Sequence, residues 1–484
     1  MADKNEFHDD RAILDIHDMP KFFPWVGLSL QHMFSMFGST VIVPLLVGLS
    51  PSIALFASGV GTLLHIMITQ RKIPAYMGSS FAFITPMLAL MKTTGYPGIA
   101  QGVIGVGIVY MIVAAIIWGI GSAWVDKILP PIVVGPIVMV IGLSLAGSAA
   151  QDAMMKNGKY SLLYFSIALA TLFLAIIFNM MFKGFIGLIP VLLAIVCGYV
   201  ISVFCGIVDL HAIASAPWFK IPAFDIPGID YHFKIDWAAI LAITPIAFVT
   251  MTEHMGHIMV LDELTGRDFF KDPGLNRTLA GDGAASLFAG LVGAPAMTSY
   301  GENIGVMAIT KIHSVYVLMG AAMFAILFAF VNKLNVLIMQ MPMPVIGGIS
   351  FLLFGTIATA GIQVMVENKV DMNLKRNLMI ASTVMVIGVG NAYLQIKSFQ
   401  FTGLAFATII GIVLNLVLPN KAASEREHEE RLADKKKLRK KNGVCSTKSS
   451  YESEINHANE LLDLKTLNHI DLIGWSKIFN EINL

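Results

Sequence analysis

Charged residues, cysteines and the motifs of soluble enzymes are scarce in this chain. Only 13% of its 484 residues are charged and only three are cysteines. The cysteine spacing fits neither a metal site nor a disulfide framework. Phosphate-binding glycine loops, zinc spacings and a Ser-His-Asp order are absent in any convincing context. We therefore expect no catalytic residue, no metal, no cofactor, no nucleic-acid partner and no coupling to ATP hydrolysis, and we expect that the protein is not an enzyme.

Apolar residues dominate what remains. They make up 56% of the chain and the mean hydropathy is +0.72, against roughly 45 to 50% apolar residues in soluble domains. Apolar runs of roughly 17 to 25 residues recur from Trp25 to Leu418, and each is long enough to cross a hydrocarbon core as a helix. The sequence predicts an all-α polytopic membrane protein, in contact with membrane lipid, with about fourteen transmembrane helices.

Basic residues are distributed unequally between alternate loops. If the N-terminus lies in the cytoplasm, the cytoplasmic loops carry about eleven basic residues and the opposite loops about seven, in agreement with the positive-inside rule. The first residues lack a basic region and a cleavage site, so we expect the first span to direct insertion. We predict a multi-pass protein of the cell (cytoplasmic) membrane with both termini cytoplasmic, and a charged cytoplasmic tail of unknown role at 420–484. A lipid-binding basic patch is the less favoured reading of that tail.

Three pairs of segments repeat near one spacing. "LQHMFSMFG" (30–38) resembles "TEHMGHIMV" (252–260), and "PAYMGSSFAF" (74–83) resembles "PAMTSYGENI" (295–304). In the third pair, Pro131, Gly135 and Gly142 match Pro344, Gly348 and Gly355. The matches indicate that the chain consists of two halves. If each half has seven spans, an odd number, the second half must be inverted relative to the first, as in secondary transporters.

Ionisable residues inside apolar spans are costly and mark functional sites. Glu253 and His257 lie four residues apart on one face of the eighth span, and Glu302 lies in the tenth. The alternative is that these groups only join helices. Asp282 has no evident partner in the sequence, and a structural role is favoured for it and for His65.

Glycine and polar residues interrupt two equivalent spans. "GSSFAF" lies in the third span and "SYGENIG" in the tenth. Backbone that leaves the helix at membrane depth must be buried in protein or line a cavity, so we predict that spans 3 and 10 are broken by short extended segments. Helix starts there would offer N–H donors, and Glu253 and Glu302 would offer acceptors. The expected ligand is small, polar and planar or compact.

The segment "ENIGVMAITK" resembles the signature of the nucleobase-ascorbate transporter family. Glu302, Asn303, Gly305, Thr310 and Lys311 occupy its defining positions. The chain is similar to this family over roughly residues 20–418, above all to its bacterial uracil:proton symporters, in "SLQHMFSMFGSTVIVP", "KIPAYMGSSFAFITP" and "EHMGH".

The resemblance implies a domain division and a transport activity. It implies a cytoplasmic N-terminus at 1–21, a core domain at 22–127 and 237–333, and a gate domain at 128–236 and 334–419, usually in a homodimer. The implied function is import of uracil with a proton by alternating access of core against gate. A purine (xanthine or urate) carrier, an ascorbate carrier, or an anion carrier or channel on the same fold remains an alternative. A membrane-embedded enzyme or sensor is a remote one.

The resemblance also implies roles for individual residues. Its implied substrate-binding residues are Glu253, Glu302, Ser39, Tyr300 and the backbone N–H groups of Phe81 and Gly301. The implied proton-coupling residues are His257, Glu253 and Glu302, since a histidine near a carboxylate can exchange a proton near neutral pH. The implied supporting residues are Asn303, Gly305, Thr310, His32 and Gln31. In family members that favour purines the first signature residue is commonly glutamine, so Glu302 favours a pyrimidine.

Overall fold

A computed structural model describes residues 12–419, apart from 123, 183–186, 188, 233, 397–398 and 402. The predicted tail at 420–484 lies outside the described residues. The described residues to Leu418 form one compact unit, which is predominantly helical, as the composition predicts. Its helices and strands are numbered in chain order.

The first half of the chain holds nine helices and three short strands among its described residues. They are α1 (Phe22–Val47), α2 (Pro51–Ile68), β1 (Met77–Ser79), a 3-10 turn (Phe81–Phe83), α3 (Ile84–Thr93), α4 (Tyr96–Ile120), α5 (Val125–Ile128), α6 (Pro131–Ser144), α7 (Ala146–Met154), β2 (Met155–Lys156), β3 (Lys159–Tyr160), α8 (Leu162–Met181) and α9 (Pro190–Phe204). Proline at the start of α2, α6 and α9 suits a first helical turn, where the missing N–H has no partner to lose.

The second half repeats the order of long helix, strand and short helix. Its described elements are α10 (Leu210–Ser215), α11 (Trp237–Ile243), a 3-10 turn (Thr244–Ile246), α12 (Ala247–Thr265), a π turn (Phe270–Gly274), α13 (Leu275–Val292), β4 (Met297–Ser299), α14 (Gly301–Thr310), α15 (Val315–Ala329), α16 (Asn332–Met339), α17 (Met343–Glu367), α18 (Lys375–Val389), β5 (Leu394–Ile396), β6 (Phe399–Phe401) and α19 (Gly403–Val417).

Seven of the described helical segments are long and apolar enough to cross a membrane, and further apolar helices of 10 to 17 residues accompany them. Large apolar side chains cover the outside of the molecule: Trp118 is 81% exposed and Phe204 is 87% exposed. A soluble protein would bury such residues, whereas a hydrocarbon surrounding accepts them. The chain is therefore a multi-pass membrane protein, as predicted.

A two-stranded antiparallel ribbon joins the two halves of the chain at the centre. Strand β1 pairs with β4, with Gly78 opposite Thr298. The ribbon is extended at both ends by equivalent bonds, since the Ser80 N–H donates to the Ala296 carbonyl at 3.0 Å and the Tyr300 N–H donates to the Tyr76 carbonyl at 3.0 Å. Because the strands run antiparallel, α3 and α14 leave the ribbon in opposite directions.

Neighbouring helices tie the ribbon down in matching ways. The Ser58 hydroxyl on α2 donates to the Met77 carbonyl at 2.6 Å, and the Ser286 hydroxyl on α13 donates to the Met297 carbonyl at 2.7 Å. Short strands inside a helical protein have unpaired edge groups, and these hydroxyls satisfy part of them. The ribbon is thereby held in a defined place between α2 and α13.

Small residues allow the central helices to pack closely. Helix α4 packs along α13, and a Cβ added to Gly107 would lie 2.5 Å from Leu287 and 2.8 Å from the Gly283 carbonyl. Glycine and alanine at such positions let helix backbones approach in a membrane, where packing drives association. Gly119, on the same helix, has no atom within 4 Å of an added Cβ and is exposed.

Gly107→Ala is expected to destabilise the protein by about 1 to 3 kcal/mol, because the methyl group has no room and overpacking costs that much. The matched variant Gly119→Ala should be neutral or slightly stabilising, since alanine is favoured over glycine by roughly 0.5 to 1 kcal/mol within a helix. Thermal unfolding of both purified variants in one detergent measures the difference. Equal unfolding temperatures would contradict the close approach of α4 and α13.

Candidate substrate-binding site

A cavity of about 230 Å³ lies beside the central ribbon. One wall comes from the ribbon ends and α12, and it is polar. The opposite wall comes from α6 and α17. The residues that line the cavity are Ser80, Phe81, Ala82, Glu253, His257, Thr298, Ser299, Tyr300, Gly301 and Glu302 on the first wall, and Val138, Ile141, Thr356, Ile357 and Ala360 on the second.

Most of the residues implied as substrate-binding meet in this cavity. Phe81 begins the 3-10 turn after β1, Gly301 begins α14 after β4, and Glu253 reaches the cavity from α12. The first N–H groups of a helix have no partner within the helix, so both ribbon ends supply free donors. The cavity therefore combines backbone donors with two carboxylates.

Glu302 is oriented by a serine from the other half of the chain. The Ser39 hydroxyl on α1 donates to Glu302 Oε1 at 3.0 Å. Ser39 is buried, and it supports Glu302 without appearing in the cavity wall. A carboxylate can accept several hydrogen bonds, so the contact with Ser39 leaves the remaining lone pairs of Glu302 available to a ligand.

Tyr300 joins the two strands. It is 5% exposed, and its hydroxyl donates to the Ser79 carbonyl at 2.9 Å. Its ring fills the space above Gly78, where an added Cβ would collide with it. Although Tyr300 also contacts the cavity, its hydroxyl is engaged with the ribbon. Its observed contacts are those of a residue that supports the site.

The signature residues after Glu302 build the frame around α14. Asn303 Oδ1 lies 2.8 Å from His32 Nδ1, and its amide donates to the Pro74 carbonyl at 3.3 Å. These contacts tie α14 to α1 and to the segment before β1. The Thr310 hydroxyl donates to the Val306 carbonyl at 2.8 Å, one helical turn earlier.

The other two supporting residues make fewer contacts. An added Cβ at Gly305 would meet no atom within 4 Å, so close packing does not require glycine there. Gln31 is buried on α1, one residue before His32. The supporting role of both stays a prediction.

His257 belongs to a chain of polar side chains that runs away from the cavity. Its Nδ1 lies 3.2 Å from the Ser299 hydroxyl, and His254 Nδ1 lies 3.0 Å from the same hydroxyl. His254 Nδ1 is also 3.0 Å from Asp282 Oδ2, while His65 Nδ1 is 3.1 Å from Asp282 Oδ1. His65, His254 and Asp282 are fully buried.

This buried group corrects the interpretation of Asp282 as unpaired. Its partners come from α2 and α12, and only the fold brings them beside α13. One feature of the sequence could have predicted that Asp282 has a partner: an acidic residue within an apolar span requires a cationic or hydrogen-bonding group beside it. No local spacing identifies His65 as that partner. Ser299, which connects the group to His257, had no distinguishing sequence signal either.

Metal binding finds no support among the described residues. In that part of the chain, no group of three or more His, Cys, Asp and Glu side chains is placed to hold a metal ion. The absence of a metal cofactor stays a prediction.

A cavity with one polar wall, lying between helices of a multi-pass membrane protein, is typical of a membrane transporter. A profile described as "Permease family" matches residues 23–397. The chain therefore belongs to this family, which confirms the predicted membership of the nucleobase-ascorbate transporters. It is a transporter and not an enzyme.

Two relatives are similar over nearly their whole length. The uracil permease of Bacillus caldolyticus is 50% identical over 429 residues, which cover 88% of this chain and 99% of the relative. The uracil permease of Bacillus subtilis (strain 168) is 48% identical over 425 residues, which cover 86% of this chain and 98% of the relative.

Solved structures of proteins with little sequence similarity to this chain have a similar fold. The structure of SLC26A9 aligns with a TM-score of 0.63 at 11% identity and covers 82% of this chain. This chain spans less than two thirds of that longer protein, namely 64%. The transmembrane domain of the cyanobacterial bicarbonate transporter BicA aligns with a TM-score of 0.56 at 13% identity, covering 81% of this chain and 96% of that domain. At such identities the likeness concerns the fold alone.

Proposed function

We propose that the protein imports uracil together with a proton across the cytoplasmic membrane, by alternating access of a core domain against a gate domain. The observation that carries the proposal is the cavity wall, where Glu253 and Glu302 stand beside the helix starts at Phe81 and Gly301. Uracil alternates N–H and C=O groups around a planar ring, so carboxylates accept from its N–H groups and backbone N–H groups donate to its oxygens. The relatives named uracil permease support the same substrate.

The size of the cavity favours a single ring. A volume of about 230 Å³ lies below the ~300 to 1,000 Å³ of pockets for drug-sized ligands. Among the alternatives, a purine carrier would need space for a second ring. A site for an inorganic anion would not place two carboxylates in its wall, because like charges repel. Uracil fits both the volume and the charge.

The two walls differ in a way that suits alternating access. The polar groups belong to the proposed core (22–127 and 237–333), whereas α6 and α17 of the proposed gate contribute mainly Val138, Ile141, Ile357 and Ala360. A ligand hydrogen-bonded on one side only can move with that side. Helices α2, α4, α13 and α15 pack with one another, and α6, α7, α8 and α17 form a second packed group, which supports the division.

The repeat supports the finer architecture. Fourteen spans in a seven-plus-seven inverted repeat, with spans 3 and 10 broken at β1 and β4, would explain why the ribbon bonds come in equivalent pairs. Cytoplasmic termini and a homodimer belong to the same proposal, on the basis of the loop charges and the family resemblance.

Proton coupling is assigned to His257 with Glu253 and Glu302. His257 reaches the cavity wall and is half-buried. A histidine changes its charge near neutral pH, and the carboxylates beside it provide acceptors in the same cavity. Binding of a proton there would alter the charge of the site between its outward-facing and inward-facing states.

Radiolabelled uracil uptake into proteoliposomes tests the proposal. We expect uptake to accelerate when the outside is made more acidic than the inside, and excess unlabelled uracil, but not xanthine, should compete. Vesicles without protein are the control. A rate of uracil uptake that is the same with and without the proton gradient would refute the coupling. Inhibition of uracil uptake by excess xanthine would identify a purine carrier on the same fold.

A further inference from the structure

The buried side chains behind the cavity have a defined connectivity. Asp282 Oδ1 and Oδ2 face His65 Nδ1 and His254 Nδ1 at 3.1 and 3.0 Å. His254 Nδ1 and His257 Nδ1 both lie near the Ser299 hydroxyl, at 3.0 and 3.2 Å. Each hydrogen in this chain can occupy only one position at a time, so the protonation of one member constrains the next.

Asp282 determines where His254 carries its hydrogen. A carboxylate accepts only, and its negative charge at 3.0 Å from His254 Nδ1 favours a hydrogen rather than a lone pair on that nitrogen. Nε2 of His254 is buried and has no hydrogen-bond partner among the described residues. An N–H at that position would gain nothing, which again favours Nδ1–H.

The hydroxyl of Ser299 then transmits this choice to His257. With a hydrogen on His254 Nδ1, that nitrogen cannot accept from the Ser299 hydroxyl, and the hydroxyl hydrogen is left to donate to His257 Nδ1. A neutral His257 that accepts at Nδ1 carries its hydrogen on Nε2. That nitrogen lies next to the cavity wall, since a Cβ added to Gly301 would be 2.9 Å from it.

We propose that Asp282 is a positioning residue that, through His254 and Ser299, holds His257 in the tautomer with Nε2–H beside Gly301. The wall then presents a side-chain donor next to the backbone donors at the start of α14. His65 completes the arrangement by occupying the second oxygen of Asp282. The tautomer does not depend on the transported substrate, but its effect on uracil binding rests on the proposed function.

Nitrogen-15 spectra of the full-length protein with labelled histidine, near neutral pH and without substrate, test the tautomer. The His257 signals are assigned by comparison with His257→Asn. We expect Nε2 to be protonated and Nδ1 to be unprotonated in the wild-type protein. A protonated Nδ1 on a neutral His257 would overturn the proposal, and this measurement needs no folded Asp282 variant.

Asp282→Leu and Ser299→Ala test the pathway. Leucine removes the acceptor, so His254 and Ser299 can exchange donor and acceptor roles, and His257 should populate both tautomers. Ser299→Ala should have the same effect while leaving the contact of Asp282 with His254 in place. The control is Ser79→Ala on the paired strand, whose buried hydroxyl donates to the Thr40 carbonyl at 3.4 Å. A single unchanged tautomer in Asp282→Leu would refute the role of Asp282.

Uracil affinity gives a second readout. If both tautomers are about equally populated, the fraction able to donate is halved, and uracil binding should weaken by about twofold in both variants, whereas Ser79→Ala should bind normally. If the tautomer is as expected but the wild-type protein neither binds nor transports uracil, only the proposed function fails. Unchanged affinity in both variants, with wild-type uracil transport intact, would contradict a role for the tautomer in binding.

Discussion

Glu302→Ala is expected to weaken uracil binding by about ten- to hundredfold, and uptake should be abolished at ordinary substrate concentrations. The variant removes a charged acceptor from the cavity wall, and hydrogen bonds to charged groups contribute roughly 1.5 to 3 kcal/mol each. Equilibrium binding of radiolabelled uracil to the purified protein measures the loss.

Two further variants calibrate the Glu302 result. Ser39→Ala removes the hydroxyl that donates to Glu302 Oε1, and it should cause a smaller loss, of roughly twofold to tenfold, because only the orientation of the carboxylate is affected. Glu263→Ala removes an exposed carboxylate at the end of α12, outside the cavity wall, and should bind normally. Unchanged affinity in Glu302→Ala would remove Glu302 from the site.

His257→Ala is expected to lose proton-driven accumulation and to retain part of its uracil binding. With one proton carried per uracil and no membrane potential, a gradient of one pH unit supports at most about tenfold accumulation, since each unit corresponds to about 1.4 kcal/mol. The variant should instead only equilibrate uracil across the membrane. The measurement is the final ratio of internal to external uracil with the outside more acidic.

His211→Ala is the matched control, because His211 is exposed on the short helix α10, away from the cavity. It should accumulate uracil like the wild-type protein. Normal accumulation in His257→Ala would show that the proton is carried by other groups, with Glu253 and Glu302 as the remaining assigned candidates.

The signature segment shows how far the sequence leads towards the site. Glu253, His257 and Glu302 could be selected because ionisable residues at membrane depth are costly and few. The repeat predicted that "GSSFAF" and "SYGENIG" are equivalent, and the structure has a strand followed by a helix at both. The antiparallel register of β1 with β4 was not accessible, because the strands are three residues long and carry no alternating pattern.

The partners of those residues were less accessible. Each contact joins a residue in the first half of the chain to one in the second half, as in the pairs Ser39 and Glu302, His32 and Asn303, and His65 and Asp282. A single sequence does not indicate which of such distant positions come into contact. Sequence spacing reveals contacts within one helix, such as that between residues four apart. Contacts between helices depend on how the helices pack.

The sequence by itself determined that this is a multi-pass helical membrane protein, that it belongs to a family of nucleobase transporters, and which carboxylates fall within apolar segments. Hydrophobicity and local motifs carry that information, since each span must satisfy the bilayer on its own. Only the tertiary structure decided which groups meet: the ribbon that brings Phe81 and Gly301 to one cavity, and the connection from Asp282 through Ser299 to His257. Those contacts arise from close packing between distant helices, and that packing belongs to the whole chain and to no single segment.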